Sequence, residues 1–328
     1  MDGKTTSLEN VSNMFKPPPL ANRRRYAIIE APSILGLKPT GVERLPEALL
    51  KNGLAERLNA RRAERVEPLA YRAERDPATL TLNAHGIAAW TPRLADAITG
   101  VLVRGEFPLI LGGDCSILLG AMLALKRRGR FGLMFIDGHA DFYEPQANPN
   151  GEAASMDLAF ATGYGPRLLT DFDVTGPLVR PEDTVAFGFR DGDEQRQYGS
   201  QPLPSEILAL DLVTVRTMGV ARAIAAALDR LTAAALDGFF IHLDADCVDD
   251  AVMPAVDYRL ADGFDWDELT SILASSMATG RAVGLEVTIY NPALDADGSA
   301  GRGLTDALVR GLAESSDFPD AHDSGIVK

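Results

Sequence analysis

Short apolar runs separated by helix-spaced segments constrain this chain more than any other feature. YAIIEAP (residues 26–32), FPLILGG (107–113), FGLMFID (131–137), TVAFGFR (184–190), GFFIHLDAD (238–246) and AVGLEVTIY (282–290) each read as a buried strand. Residues 41–54, 87–103, 116–126, 156–162, 220–231 and 303–315 read as helices, the first with Leu45, Leu49 and Leu50 on one face and Gly53 as its stop. Asp265 with Glu268 three residues on has capping-box spacing and opens a further helix to about residue 277. Residues 55–80 are rich in Arg and Glu and read as a solvated helical face and loop, and 191–204 as loop. Buried strands alternating with helices imply a parallel sheet covered on both faces. With no internal repeat and no Gly/Ser linker, the expectation is one domain over residues 25–315. A flexible arm (1–24) precedes it and a polar tail (316–328) follows.

Ligands of such sheets gather beyond the carboxyl ends of the strands, and two acidic clusters fall there. The first is Asp137, His139 and Asp141; the second, about a hundred residues later, is Asp244 and Asp246. Side chains two apart on an extended strand point the same way. Asp-x-His-x-Asp thus throws three donors to one side of a strand end, and Asp-x-Asp two more. Five such donors on adjacent strands would hold a pair of divalent cations, and the carboxylates favour a hard metal such as manganese or magnesium. Acidic residues also follow strands merely because loops are wet. Two clusters, one of them containing one of only four histidines, favour the metal.

The formal charge of −14, from 32 basic and 46 acidic residues, argues against a nucleic-acid or anionic-membrane partner. Two cysteines, Cys115 and Cys247, give no disulfide framework and suit a reducing cytoplasm. No apolar stretch approaches the roughly 20 residues a membrane helix needs, and the polar N-terminus has no secretory signal. A cytoplasmic protein acting on a small molecule is expected.

LGGDCS (111–116), IDGHADFY (136–143), HLDADCVDD (242–250) and YNP (290–292) resemble, in order and spacing, motifs of the ureohydrolases, the family of arginase, agmatinase and formimidoylglutamase. GVERLPEAL (41–49) and FGFRDGDE (187–194) are similar too, so the resemblance spans about residues 25–315. It implies a three-layer α/β/α sandwich with a mostly parallel, about eight-stranded sheet, and a homo-oligomer, trimer or hexamer. It also implies two manganese ions whose bridging hydroxide attacks a guanidinium or amidine carbon. Carried over, Asp137 and Asp244 bridge both ions, Asp141 completes one, and His139 and Asp246 complete the other. Asp141 is also expected to hand a proton to the leaving amine.

Three departures qualify that picture. Cys115 stands where the family has a ligand histidine; a thiolate is softer and shifts the preference toward zinc or iron, while the alternative is a small buried thiol. Ile289 stands where the family's glutamate grips the guanidinium, and a buried guanidinium without a partner is costly. Ala154 replaces the arginases' proton-shuttling histidine. Asn150 and Glu152 fall where arginases hold the substrate's carboxylate; a glutamate would repel an anion but could act as an acid or bind a cation. Asp193 matches an aspartate that binds an α-amino group, which makes an amino-acid-like substrate possible. His242 shares the face of Asp244 one layer lower, as a carboxylate's partner or a core histidine, and Asp249 shapes its loop. The leading expectation is a metal-dependent hydrolase of a C–N bond in an amidine, formimino or modified guanidino compound. The alternatives are a binding or regulatory protein with a weakened metal site, and a true arginase or agmatinase.

Overall fold

The computed structural model describes residues 24–313. Apart from Arg24, the expected arm and tail lie outside the described residues. Eight strands form one sheet: β1 (Tyr26–Ala31), β2 (Arg61–Arg65), β3 (Phe107–Gly112), β4 (Phe131–Ile136), β5 (Thr184–Phe187), β6 (Leu208–Leu210), β7 (Gly238–Asp244) and β8 (Ala282–Thr288). Their order is β2-β1-β3-β8-β7-β4-β5-β6, with every pair parallel. The expected three-layer α/β/α architecture is present.

Alternation along the strands supplies a core on each face. Met134, Ile136, Phe239, Ile241 and Leu243 pack toward the helices Leu45–Lys51, Val220–Leu231, Trp266–Ala278 and Ser299–Leu312. Leu133, Phe135 and Phe240 pack on the other side, with the helices Ala84–Val103 and Leu118–Lys126. In Ala84–Val103, Ile87, Trp90, Leu94, Ile98 and Val101 are buried at helical spacing. The Asp265–Glu268 capping box is formed in both directions, and Gly53 takes the left-handed conformation behind the first helix.

The chain places β3 and β4 consecutively, but the sheet inserts β8 and β7 between them. That reversal opens a crevice at the strand tips, the usual ligand position in open α/β sheets. Beyond β3 the chain passes so close to β1 that a Cβ on Gly113 would lie 1.8 Å from the Ser33 carbonyl oxygen. Asp114 then accepts hydrogen bonds from the Ser33 hydroxyl and the Ser116 amide, turning Cys115 over the tips.

Four stretches differ from expectation. Residues 55–80 contain the edge strand β2 instead of a solvated helical face. Its Arg61, Arg62 and Arg65 pair with Glu106 and Glu30, the charged habit of an exposed edge, which leaves no apolar run to read. Within 191–204, expected as loop, lies the helix Gly192–Tyr198, none of whose residues is buried. The helix expected over 156–162 spans only Asp157–Ala161, and the last one begins four residues earlier than expected, at Ser299. Among the described residues no helix is long and apolar enough to cross a membrane.

Candidate metal centre

Strand register explains why the acidic residues converge. Ile136 of β4 lies opposite Leu243 of β7, so Asp137 follows beside Asp244, which in turn faces Thr288 of β8. One row lower, Phe135, His242 and Glu286 sit side by side on three adjacent strands. His139 and Asp246 project from the turns just past β4 and β7, and His139 Nδ1 is 2.8 Å from Asp246 Oδ2.

Two groups of donor atoms result, each lying within 4.8 Å of one another: Cys115, Asp137, His242 and Asp244, and then Asp137, His139 and Asp246. Asp137 belongs to both. The cysteine Sγ is 2.9 Å from Asp244 Oδ2 and 3.4 Å from Thr288 Oγ1. His242 Nδ1 is 2.7 Å from Glu286 Oε1. Asp141 reaches the same cavity wall but joins neither group.

The electrostatics are those of a place built for positive charge. Burial and the carboxylates of Asp137 and Asp157 push Asp141 well above the usual carboxylate range. Burial and Asp246 do the same to Asp244, and burial with Asp244 raises the Cys115 thiol. Burial opposes protonation of His139, yet Asp246 and Asp137 raise it well above an ordinary imidazole. For Asp137, burial is outweighed by the neighbouring imidazoles of His139 and His242, which hold it low. Buried polar atoms without partners are rare in folded proteins, and here Asp137 Oδ2, Asp157 Oδ2, His242 Nε2 and Glu286 Oε2 all lack one among the described residues. This donor set, rich in carboxylate and short of partners, fits divalent cations.

Above these groups is a cavity of about 320 Å³. Its wall carries Asp141, Glu152 and Glu194 together with Tyr143, Tyr198 and Tyr258, and among the described residues no Lys or Arg lines it. Glu152 is buried; its Oε2 accepts from the Tyr258 hydroxyl at 2.6 Å and from the Asn150 amide at 3.4 Å, while Oε1 is unpartnered. Two wall residues, Asp141 (φ 44°) and Ile289 (φ 69°), take the left-handed conformation that side chains other than glycine seldom adopt. Ile289 is held there by its backbone N–H, which donates a hydrogen bond to the Gly113 carbonyl.

The structure therefore brings Cys115, Asp137, His139, Asp141, Asn150, Glu152, Asp244 and Asp246 to one cavity or its floor. It does not bring Asp193, whose side chain is 96% exposed and pairs with Arg196; the next residue, Glu194, faces the cavity instead. Asp249 shapes its loop by accepting from the Ala251 and Gly263 amides. Sequence reasoning missed Asp157, Tyr258 and Asp191. The last accepts from the Ala140 amide and so braces the His139 turn. The carboxyl chemistry of Asp157 was in plain view, but nothing local marked it as buried.

Residues 24–313 match the sequence model of the arginase family. The arginase of Bacillus caldovelox is 29% identical over 279 residues, covering 82% of this chain and 91% of that protein. The arginase of Bacillus subtilis (strain 168) is 27% identical over 284 residues, covering 85% and 94%. The native structure of the Bacillus caldovelox arginase superposes with a TM-score of 0.79 at 25% identity, over 89% of this chain and 99% of that one.

Proposed function

This chain belongs to the arginase family, and we propose that it hydrolyses a C–N bond in a cationic amidine, formimino or modified guanidino compound with the help of divalent metal. The observation that carries the reading is the pair of donor groups sharing Asp137 beneath a cavity whose wall is acidic and aromatic. Asp137, Asp244, His139, Asp246 and Cys115 would hold the metal. When bound, the ions supply a water acidic enough to lose a proton near neutral pH.

The chain's own groups account for the rest of the reaction. Glu152 Oε1, unpartnered and buried, would accept N–H bonds from the amidinium, while Tyr258 and Asn150 keep Oε2 occupied and the carboxylate aimed. The cation's partner would then come from the loop 148–152, and not from the end of β8, where the apolar Ile289 stands. Asp193 is exposed and does not line this wall, so it gives an amino-acid-like substrate no contact here. Water oxygen bonds to the amidine carbon, the C–N bond breaks, and Asp141 would carry the water's proton to the departing nitrogen.

The thiol of Cys115, already satisfied by Asp244 in the structure, favours a second reading: a binding protein with a weakened metal site. One experiment separates the two. The full chain, loaded in turn with manganese, zinc and iron(II), is given a panel of amidine, formimino and guanidino compounds, and ammonia, urea and formamide are measured. Release of one product, abolished by Asp244→Asn, is expected. Silence across the panel from protein that retains its metal would favour the binding protein.

A further inference from the structure

His242 lies one row beneath the cavity floor and is fully buried. Two of its aspects are accounted for. Nδ1 meets Glu286 Oε1 at 2.7 Å, and the ring stacks on Phe135 with centroids 4.5 Å apart. The third, Nε2, has no hydrogen-bond partner among the described residues, and neither has Asp137 Oδ2, which it faces across 3.7 Å. That gap is too long for a hydrogen bond. The Cys115 sulfur and an Asp244 oxygen close its other sides, so that four donors lie within 4.8 Å of one another. Two ligands of one ion, bound at about 2.0–2.3 Å, stand at most about 4.6 Å apart. The group is within a few tenths of an ångström of the spread of one coordination sphere.

We propose that His242 Nε2 is a ligand of an inner metal subsite with Cys115, Asp137 and Asp244, and that this subsite takes a softer divalent ion than the outer one formed by Asp137, His139 and Asp246. The inference rests on the metal-dependent reading above and deepens it by naming an imidazole ligand on β7 and two unequal subsites. Glu286 accepts the Nδ1 proton and so leaves the Nε2 lone pair toward the cation; such carboxylate–imidazole pairing is how metal-binding histidines are commonly oriented. Thiolate with imidazole selects zinc or iron(II), whereas the outer subsite, two carboxylates and one imidazole, suits manganese. The rival account makes His242 an imidazolium between Glu286 and Asp137, a fixed cation in place of the inner ion. It leaves the Nε2 proton facing Asp137 without a hydrogen bond.

The full chain is stripped of metal, given one equivalent of zinc in excess manganese, and studied by X-ray absorption at the zinc edge. One sulfur and one imidazole bonded directly to zinc are expected. His242→Gln should remove the imidazole signal, and His139→Gln should leave it in place. Glu286→Gln should weaken zinc binding by about 10–100-fold, and His242→Gln by at least as much. Zinc bound without sulfur, or with an imidazole lost only in His139→Gln, overturns the proposal while leaving the metal-dependent reading intact. A chain that binds neither ion overturns both. If His242→Gln fails to fold, the wild-type spectrum decides through the presence or absence of sulfur and imidazole in one sphere, with His139→Gln identifying which histidine it is.

Discussion

The floor of the cavity is placed by strand register, whereas its rim is placed by loops pinned from outside. Asp137 and Asp244 stand side by side because β4 and β7 pair residue for residue from Phe131 and Gly238 onward. The rim segment 148–152 has no such ladder. Arg75 holds it from beneath, donating to the carbonyls of Leu80, Pro145, Asn148 and Pro149. Arg190 does the same for the loop after β7, reaching the carbonyls of Asp246, Leu260 and Ala261. A floor built on ladders keeps its donors as long as the sheet holds. A rim built on single side chains can exchange one substrate group for another without disturbing the metal beneath it. Under the proposed function, Ile289 and Glu152 fit that division: the floor keeps its carboxylates, while the cation's partner would lie on a loop instead of the last strand.

The division is best broken at the floor. Asp244→Asn removes a donor shared with the Cys115 bond and is expected to lower metal retention and any hydrolysis by more than about 100-fold, beyond what loss of a merely orienting partner causes. Metal analysis and product assays on the same sample check it.

Removing the metal should come next in size. Asp141, Asp157, Asp244 and Glu286 are all raised by burial, and His139 and His242 are raised by the carboxylates around them despite their burial. Each binds its proton more tightly folded than unfolded, so stability of the chelated protein falls as pH climbs above the ordinary carboxylate range and on through the raised histidines. Asp137, held low, acts oppositely only in stronger acid. The chelated chain should melt higher at about pH 6 than at about pH 8, and saturating metal should add roughly 2.7 kcal/mol or more. Calorimetric scans at both pH values would expose a flat profile, which the account does not allow.

At the rim, Glu152→Gln should cut kcat/KM for a cationic substrate by about 10–100-fold, the equivalent of losing a charge-assisted hydrogen bond of roughly 1.5–3 kcal/mol, with metal content unchanged. Loss of metal in that variant would merge floor and rim. The smallest effect belongs to Asp193→Ala, expected within about 0.5 kcal/mol in stability because the side chain is exposed and paired only with Arg196. A large loss of substrate affinity there would return Asp193 to the site.

The same division explains what could be read from the sequence. The floor donors stand in period-two clusters at the ends of apolar runs, a pattern that survives without knowledge of which strands pair. The inner strands were legible for the same reason. β2 was not, since a strand exposed on both faces carries charge instead of an apolar run, and three-residue β6 is too short to show a period. Asp193 and Glu194 differ by one helical step, about 100° of rotation, which no local pattern resolves. Tyr258 lies 106 residues from the Glu152 it holds, so its role depends on how two loops meet. His242 was visible on the face of Asp244, but its unpartnered Nε2 follows from Glu286 and Phe135 on two other strands.

The most direct measurement is anomalous diffraction from crystals of the full chain grown with zinc and manganese, with data at both absorption edges. The account predicts a zinc peak among Cys115, Asp137, His242 and Asp244 and a manganese peak beside Asp137, His139 and Asp246. Strand tips without anomalous density, in crystals where either metal binds elsewhere on the chain, would contradict it.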